Sequence, residues 1–251
     1  MNQFFLFGYN KSGTTFLQQL IDSHLQVNCP PEHHLNSVIN AIESFCPQYK
    51  LVIERFDQRT GQQGIRFDKN LVMHHTFRGF VEAFMRCGAT KNTTHVGVND
   101  NSMGLNLEFV ASVFPKAKFI AILRDPREVA VPLFHHKMRT EPEFRERNGT
   151  LSAVAHAVAP AWANHMRKLR NFLDTHSHGK QLQVTRYQDL IGADNNLELQ
   201  RLFAHLQVPV DKVLIDKILT ANNFTKAKRR PAENVFFAIR AERFLDGGTR
   251  A

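Results

Sequence analysis

The stretch from Phe4 to Leu17 constrains this chain more than any other. Phe4-Phe5-Leu6-Phe7 is a continuous apolar run, the pattern of a strand buried on both faces. Gly8 to Gly13 then interrupt it with turn-forming residues. From Thr14 onward Phe16, Leu17, Leu20 and Ile21 recur at helical spacing, with Gln18, Gln19 and Asp22 on the other side. The order is strand, glycine-containing loop, helix N-terminus. Such a loop aims free backbone N–H groups and the positive end of a helix dipole at one point, which suits an anion, most often phosphate.

The spacing approaches the phosphate loop of nucleotide triphosphatases, G-x-x-x-x-G-K-[ST]. Gly8 and Gly13 stand five apart, and Thr15 fills the hydroxyl position. Thr14 occupies the place of the lysine, and the loop's only lysine is Lys11. Triphosphate chemistry needs the later lysine on the β- and γ-phosphates. An earlier lysine places its charge elsewhere along the phosphate chain and favours an anhydride that is not a triphosphate.

A formal net charge of +9 suits an anionic ligand, and no zinc-finger or RNP-like motif supports nucleic acid as partner. The length and apolar share fit one α/β domain over residues 1–251. Cys29, Cys46 and Cys87 are an odd set without C-x-x-C spacing, so a reducing compartment, the cytoplasm, is expected. No signal peptide and no membrane span is read from the sequence. Metal binding is not expected: His33-His34, His74-His75 and His135-His136 are adjacent pairs that diverge on a helix or strand.

Along the chain, helices are predicted over about 14–24, 35–45, 71–87, 105–114, 195–206 and 211–220, with another around Trp162 to Leu169. Strands are predicted at His95–Asp100, Lys118–Leu123 and Gln181–Tyr187, and a polar surface loop at 57–70. Strands alternating with helices predict an α/β fold, a mostly parallel central sheet flanked by helices. Ligands of such sheets bind at the carboxyl ends of the strands, which singles out residues 8–15, 99–102, 124–127 and 187–190.

At Lys11-Ser12-Gly13-Thr14-Thr15 the chain resembles the sulfotransferases that use 3′-phosphoadenosine 5′-phosphosulfate, with Phe16 where that family often has Trp and Asn10 where it has Pro. The resemblance implies a P-loop NTPase-like sulfotransferase fold, in which Lys11, Ser12, Gly13, Thr14, Thr15 and Phe16 hold the cofactor. A second motif, Arg124-Asp125-Pro126-Arg127-Glu128-Val129-Ala130, resembles the family's 3′-phosphate element, which implies that Arg124 anchors that phosphate. The family's serine eight residues after the arginine is Pro132 here, which removes one donor. Tyr187-Gln188-Asp189-Leu190 resembles the Y-E-D-L element near the nucleotide, although a core tyrosine reads equally well. Near the C-terminus the family's tryptophan is missing. Gly247 and Gly248 are a remnant of that motif or part of a basic tail, in which Arg229 and Arg230 are left as phosphate contacts.

In-line sulfuryl transfer needs a cation on the departing phosphate and a proton acceptor for the attacking hydroxyl. Lys11 suits the first role. For the second, tyrosylprotein and several bacterial sulfotransferases carry a glutamate after the first helix, and Glu32 matches its spacing, with His33 and His34 as rivals. His33, His34 and Asp100 are the candidate acceptor contacts. Asn99 stands where tyrosylprotein enzymes have a lysine. Segments 35–90 are expected to form the pocket or lid for a small-molecule hydroxyl acceptor of partly apolar character. The product would be adenosine 3′,5′-bisphosphate, with no metal required. The alternatives are a P-loop nucleotide or small-molecule kinase, and a catalytically impaired nucleotide-binding scaffold.

Overall fold

The alternation of β1 (Asn2–Gly8) organises the molecule. Phe5 and Phe7 enter a core on one face of the sheet, while Phe4 and Leu6 enter a second core on the other. All four are at most 1% exposed, which is why the strand reads as an unbroken apolar run. The structure, a computed structural model, describes residues 1–31, 34–61, 66–147, 149–175 and 180–222.

After β1 come α1 (Thr14–Asp22), the short β2 (Val27–Asn28), α2 (Leu35–Thr60), α3 (Lys69–Arg86) and β3 (His95–Asn99). A 3-10 helix (Asn101–Leu105), α4 (Leu107–Val113) and β4 (Lys118–Leu123) follow. Then come α5 (Pro126–Thr140), α6 (Pro142–Glu146), α7 (Leu151–Thr175) and β5 (Leu182–Arg186). The described chain closes with α8 (Tyr187–Ile191), α9 (Asn195–Leu206) and α10 (Lys212–Ala221). The five strands form one parallel sheet in the order β2-β3-β1-β4-β5, with Leu6 opposite Asn99 on one side and Gly8 opposite Ile122 on the other. Helices α2, α3, α4 and α7 contribute to the first core, and α1, α8, α9 and α10 to the second. The expected α/β class with a helix-flanked parallel sheet is what the chain adopts.

Two local expectations are corrected and one strand is added. The loop predicted at 57–70 begins later, because α2 continues through Thr60 with Pro47 inside it. The polar residues after Phe56 are its exposed end, and Gly61 closes it in the left-handed conformation at φ 67°. The segment 187–190, read as a loop, is helical as α8. The two-residue β2 is too short to show any period and was not foreseen.

Candidate anion-binding site

From β1 the chain leaves toward β2 and β3 on one side, and from β4 toward β5 on the other. Adjacent strands whose connections diverge leave a crevice at their carboxyl ends. The loop after β1 is held open there by two left-handed residues, Lys11 at φ 64° and Gly13 at φ 99°. The lysine conformation costs about 1–2 kcal/mol, the kind of strain that persists at sites with a task. Gly13 is also required sterically, since a Cβ would lie 2.5 Å from the Tyr187 ring. A Cβ on Gly8 would lie 2.7 Å from the Ile122 carbonyl oxygen. The glycine spacing thus serves close approach to β4 and α8 as well as the turn.

Gly13 caps α1 without a side-chain hydrogen bond, leaving first-turn N–H groups to an anion. Ser12 N–H donates to the Tyr9 carbonyl at 3.0 Å, while its hydroxyl is fully buried with no partner. A buried hydroxyl left over in a phosphate-type loop fits a bound oxyanion.

Arg124 leaves the end of β4 and ties the other parts together. Its Nε donates to Glu128 at 3.1 Å, its Nη1 donates to the Lys11 carbonyl at 3.2 Å, and its guanidinium lies 4.2 Å from the centre of the Tyr187 ring. Glu128 also accepts from Gln188 Nε2 at 3.1 Å, and Trp162 Nε1 donates to the Arg124 carbonyl at 3.1 Å. Two of the guanidinium's five N–H donors are engaged in this way, and the others remain for an oxyanion. Asp125 caps α5 by accepting from Arg127 N–H at 2.8 Å. The Arg127 side chain, and then its backbone N–H, hold the Asp125 carboxyl at about 2.

These parts line one cleft of about 680 Å³. Its lining is Asn10, Lys11, Gly13, Thr14, Thr15 and Phe16 from the β1 loop and α1, then His34, Asn101, Arg124 and Tyr187, and Pro132, Leu133 and His136 of α5. Lys11, Gly13, Thr14, Thr15, Phe16, Arg124, Tyr187 and His34 therefore meet as the sequence predicted, with Ser12 buried in the same loop. Asp100 does not line it. That residue is 1% exposed, and its carboxylate accepts from Leu35 N–H, from Ser102 N–H at 2.8 Å and from Ser102 Oγ at 2.5 Å. In this place it caps the 3-10 helix and the first turn of α2. Residues 35–90 contribute none of the described lining; they form α2, α3 and β2-side packing on the sheet. Glu32, His33, Arg229, Arg230, Gly247 and Gly248 lie outside the described residues. His136 and Leu133 were not foreseen, whereas Asn101 falls in the predicted 99–102 loop. The available signal was that Leu133 and His136 follow Pro132 on one helix, close enough in period to share its face. Among the described residues no group of three or more His, Cys, Asp or Glu could hold a metal ion.

The comparisons with known proteins bear on the family and the fold. A model described as the sulfotransferase family matches residues 3–212. Protein-tyrosine sulfotransferase 1 of Danio rerio is 29% identical over 126 residues, 49% of this chain and 32% of that protein, so the match spans about a third of the relative's length. The crystal structure of mouse sulfotransferase SULT7A1 complexed with PAP is similar with a TM-score of 0.58 at 18% identity, covering 92% of this chain and 68% of that one. The sulfotransferase domain of the Synechococcus PCC 7002 olefin synthase is similar with a TM-score of 0.55 at 17% identity, covering 85% and 76%. At these identities the structures speak for the fold. The family model, by contrast, runs through the loop after β1, the Arg124 turn and Tyr187 alike, and on that match the chain belongs to the sulfotransferase family.

Proposed function

We propose that the chain transfers a sulfuryl group from 3′-phosphoadenosine 5′-phosphosulfate to a hydroxyl of a small, partly apolar acceptor, without a metal. One observation carries this reading: a helix N-terminal loop bearing Lys11 and a separate guanidinium, Arg124, face one cleft, which suits a nucleotide with phosphates at both ends. The buried, unpartnered Ser12 hydroxyl supports an oxyanion at the loop. When bound, the cofactor supplies a sulfuryl group on a phosphate leaving group.

The residues' roles follow. Lys11, the α1 amides and the hydroxyls of Ser12, Thr14 and Thr15 neutralise charge developing on the leaving oxygen, as preorganised donors do best in a water-poor cleft. Arg124, held by Glu128 and Tyr187, anchors the 3′-phosphate. Phe16 gives the nucleotide an apolar face. Glu32 is our candidate for the acceptor proton, with His33 and His34 beside it in sequence. Pro132 and Leu133 give the cleft an apolar flank, which supports a phenol or similar alcohol, the group borne by the tyrosine in the relative's name. The free cysteines, Cys29 and Cys46 buried and Cys87 exposed, support a reducing compartment such as the cytoplasm.

The direct test is transfer of radiolabelled sulfur from the cofactor to a phenol and a tyrosine peptide, with chelator present. We expect label in at least one acceptor and its loss in Lys11→Ala. Transfer that needs magnesium, or that survives Lys11→Ala undiminished, contradicts the reading.

A further inference from the structure

His136 lies on α5 one turn beyond Pro132, and both line the cleft that contains Lys11. Its Nδ1 is buried with no hydrogen-bond partner, which leaves Nε2 as the ring nitrogen available to the cleft. A neutral imidazole carries one N–H, and the surroundings of the two nitrogens select its place. A proton on Nδ1 would be a buried donor without an acceptor, the less tolerated kind of unmet group. A proton on Nε2 leaves only a lone pair unused and aims a donor into the cleft. The same geometry argues against a proton-accepting role, because an imidazolium would need an acceptor at Nδ1. The charged groups acting on the ring are Lys11 of the β1 loop, Arg139 and Lys137 on its own helix, and Glu141 just beyond it. Burial, then Lys11 and Arg139, push its pKa down.

We propose that His136, through its Nε2–H, is a cofactor-contacting residue that hydrogen-bonds an oxygen of the 5′-phosphosulfate group beside Lys11. The inference rests on the cofactor reading above. It gives the cleft a neutral donor at the reacting end, supplied by α5 rather than by the loop after β1. Such a donor adds to the binding of an anion without adding charge that would hold the product back.

The test is calorimetric titration of the full chain with adenosine 3′,5′-bisphosphate and with adenosine 3′-monophosphate, which lacks the 5′ group. His136→Ala should weaken bisphosphate binding about tenfold, as loss of a hydrogen bond to a charged group does, and leave the monophosphate unchanged. His136→Gln, which keeps a neutral N–H donor, should recover most of the loss. Equal binding by wild type and His136→Ala, or an equal loss on both nucleotides, would overturn the proposal. Nitrogen NMR of the wild-type histidines needs no variant. The His136 Nε2 should stay protonated and shift when bisphosphate binds, whereas a ring protonated on Nδ1 or on both nitrogens would overturn it. A wild-type chain that binds no bisphosphate would instead sink the cofactor reading itself, a distinguishable result.

Discussion

Arg124 is held on three sides, by Glu128, by the Lys11 carbonyl and by the Tyr187 ring. A lysine cannot reproduce a planar fork that donates sideways while stacking on an aromatic face. Arg124→Lys should therefore reduce adenosine 3′,5′-bisphosphate affinity by about ten- to a hundredfold, close to the effect of Arg124→Ala, as calorimetry would show. Gly13→Ala should act through the fold of the loop. It adds left-handed strain of about 1–2 kcal/mol and an overlap with Tyr187 that costs about 1–3 kcal/mol more, so the melting temperature should drop by several degrees. An alanine variant with unchanged melting and binding would mean that the loop relaxes at no cost. At this scale Lys11, Gly13, Thr14, Thr15 and Arg124 were legible because strand, turn and helix signals flank them directly. His136 was not, because its meaning depends on the face that α5 turns to the cleft, and an adjacent histidine pair hides that face.

The elements are joined to the site by polar caps as much as by apolar packing. Asp100 follows β3 directly and caps both the 3-10 helix and the first turn of α2. Asp100→Asn puts an amide among three donors and should destabilise the chain by about 1–3 kcal/mol while leaving bisphosphate affinity unchanged. Thermal melts beside calorimetry check this; an unchanged melt with weakened acceptor turnover would favour the acceptor role expected of it instead. Strands β1 and β4 were legible as elements because both faces of the sheet are covered there and each is an apolar run. Helix α2 was legible only over its buried stripe of Leu35, Ile39 and Ile42. Beyond Phe56 its last turn is polar and largely exposed, so composition there reads as loop.

At the scale of the molecule, several histidines are packed where a charge is unwelcome. His165 lies against the rings of Phe7 and Tyr9, and burial, then Lys168, lower its pKa to about 4. His95 and His205 are also lowered, chiefly by burial, although His205 Nε2 bonds the Phe119 carbonyl at 3.1 Å and the Gln181 carbonyl at 3.0 Å. For such a group the unfolded chain takes up a proton that the folded chain refuses. Stability is therefore full above about pH 6.5 and is lost as pH falls toward 4, by about 3 kcal/mol for His165 alone. His165→Asn should lower stability at pH 8 and reduce the slope of stability against pH in that window by about one proton. An unchanged slope would show that the native state accommodates the charged ring. The α/β class and the meeting of distant loops at one crevice were legible, since parallel strands dictate where ligands bind. The strand order was not, because the divergence between β1 and β4 is a property of the assembled sheet.

The most direct test of the central claim is calorimetric titration of the chain with adenosine 3′,5′-bisphosphate, run beside ATP with magnesium. The account predicts binding of the bisphosphate without metal, weakened by both Lys11→Ala and Arg124→Ala. Binding of ATP with magnesium alone would contradict it and assign the cleft to triphosphate chemistry.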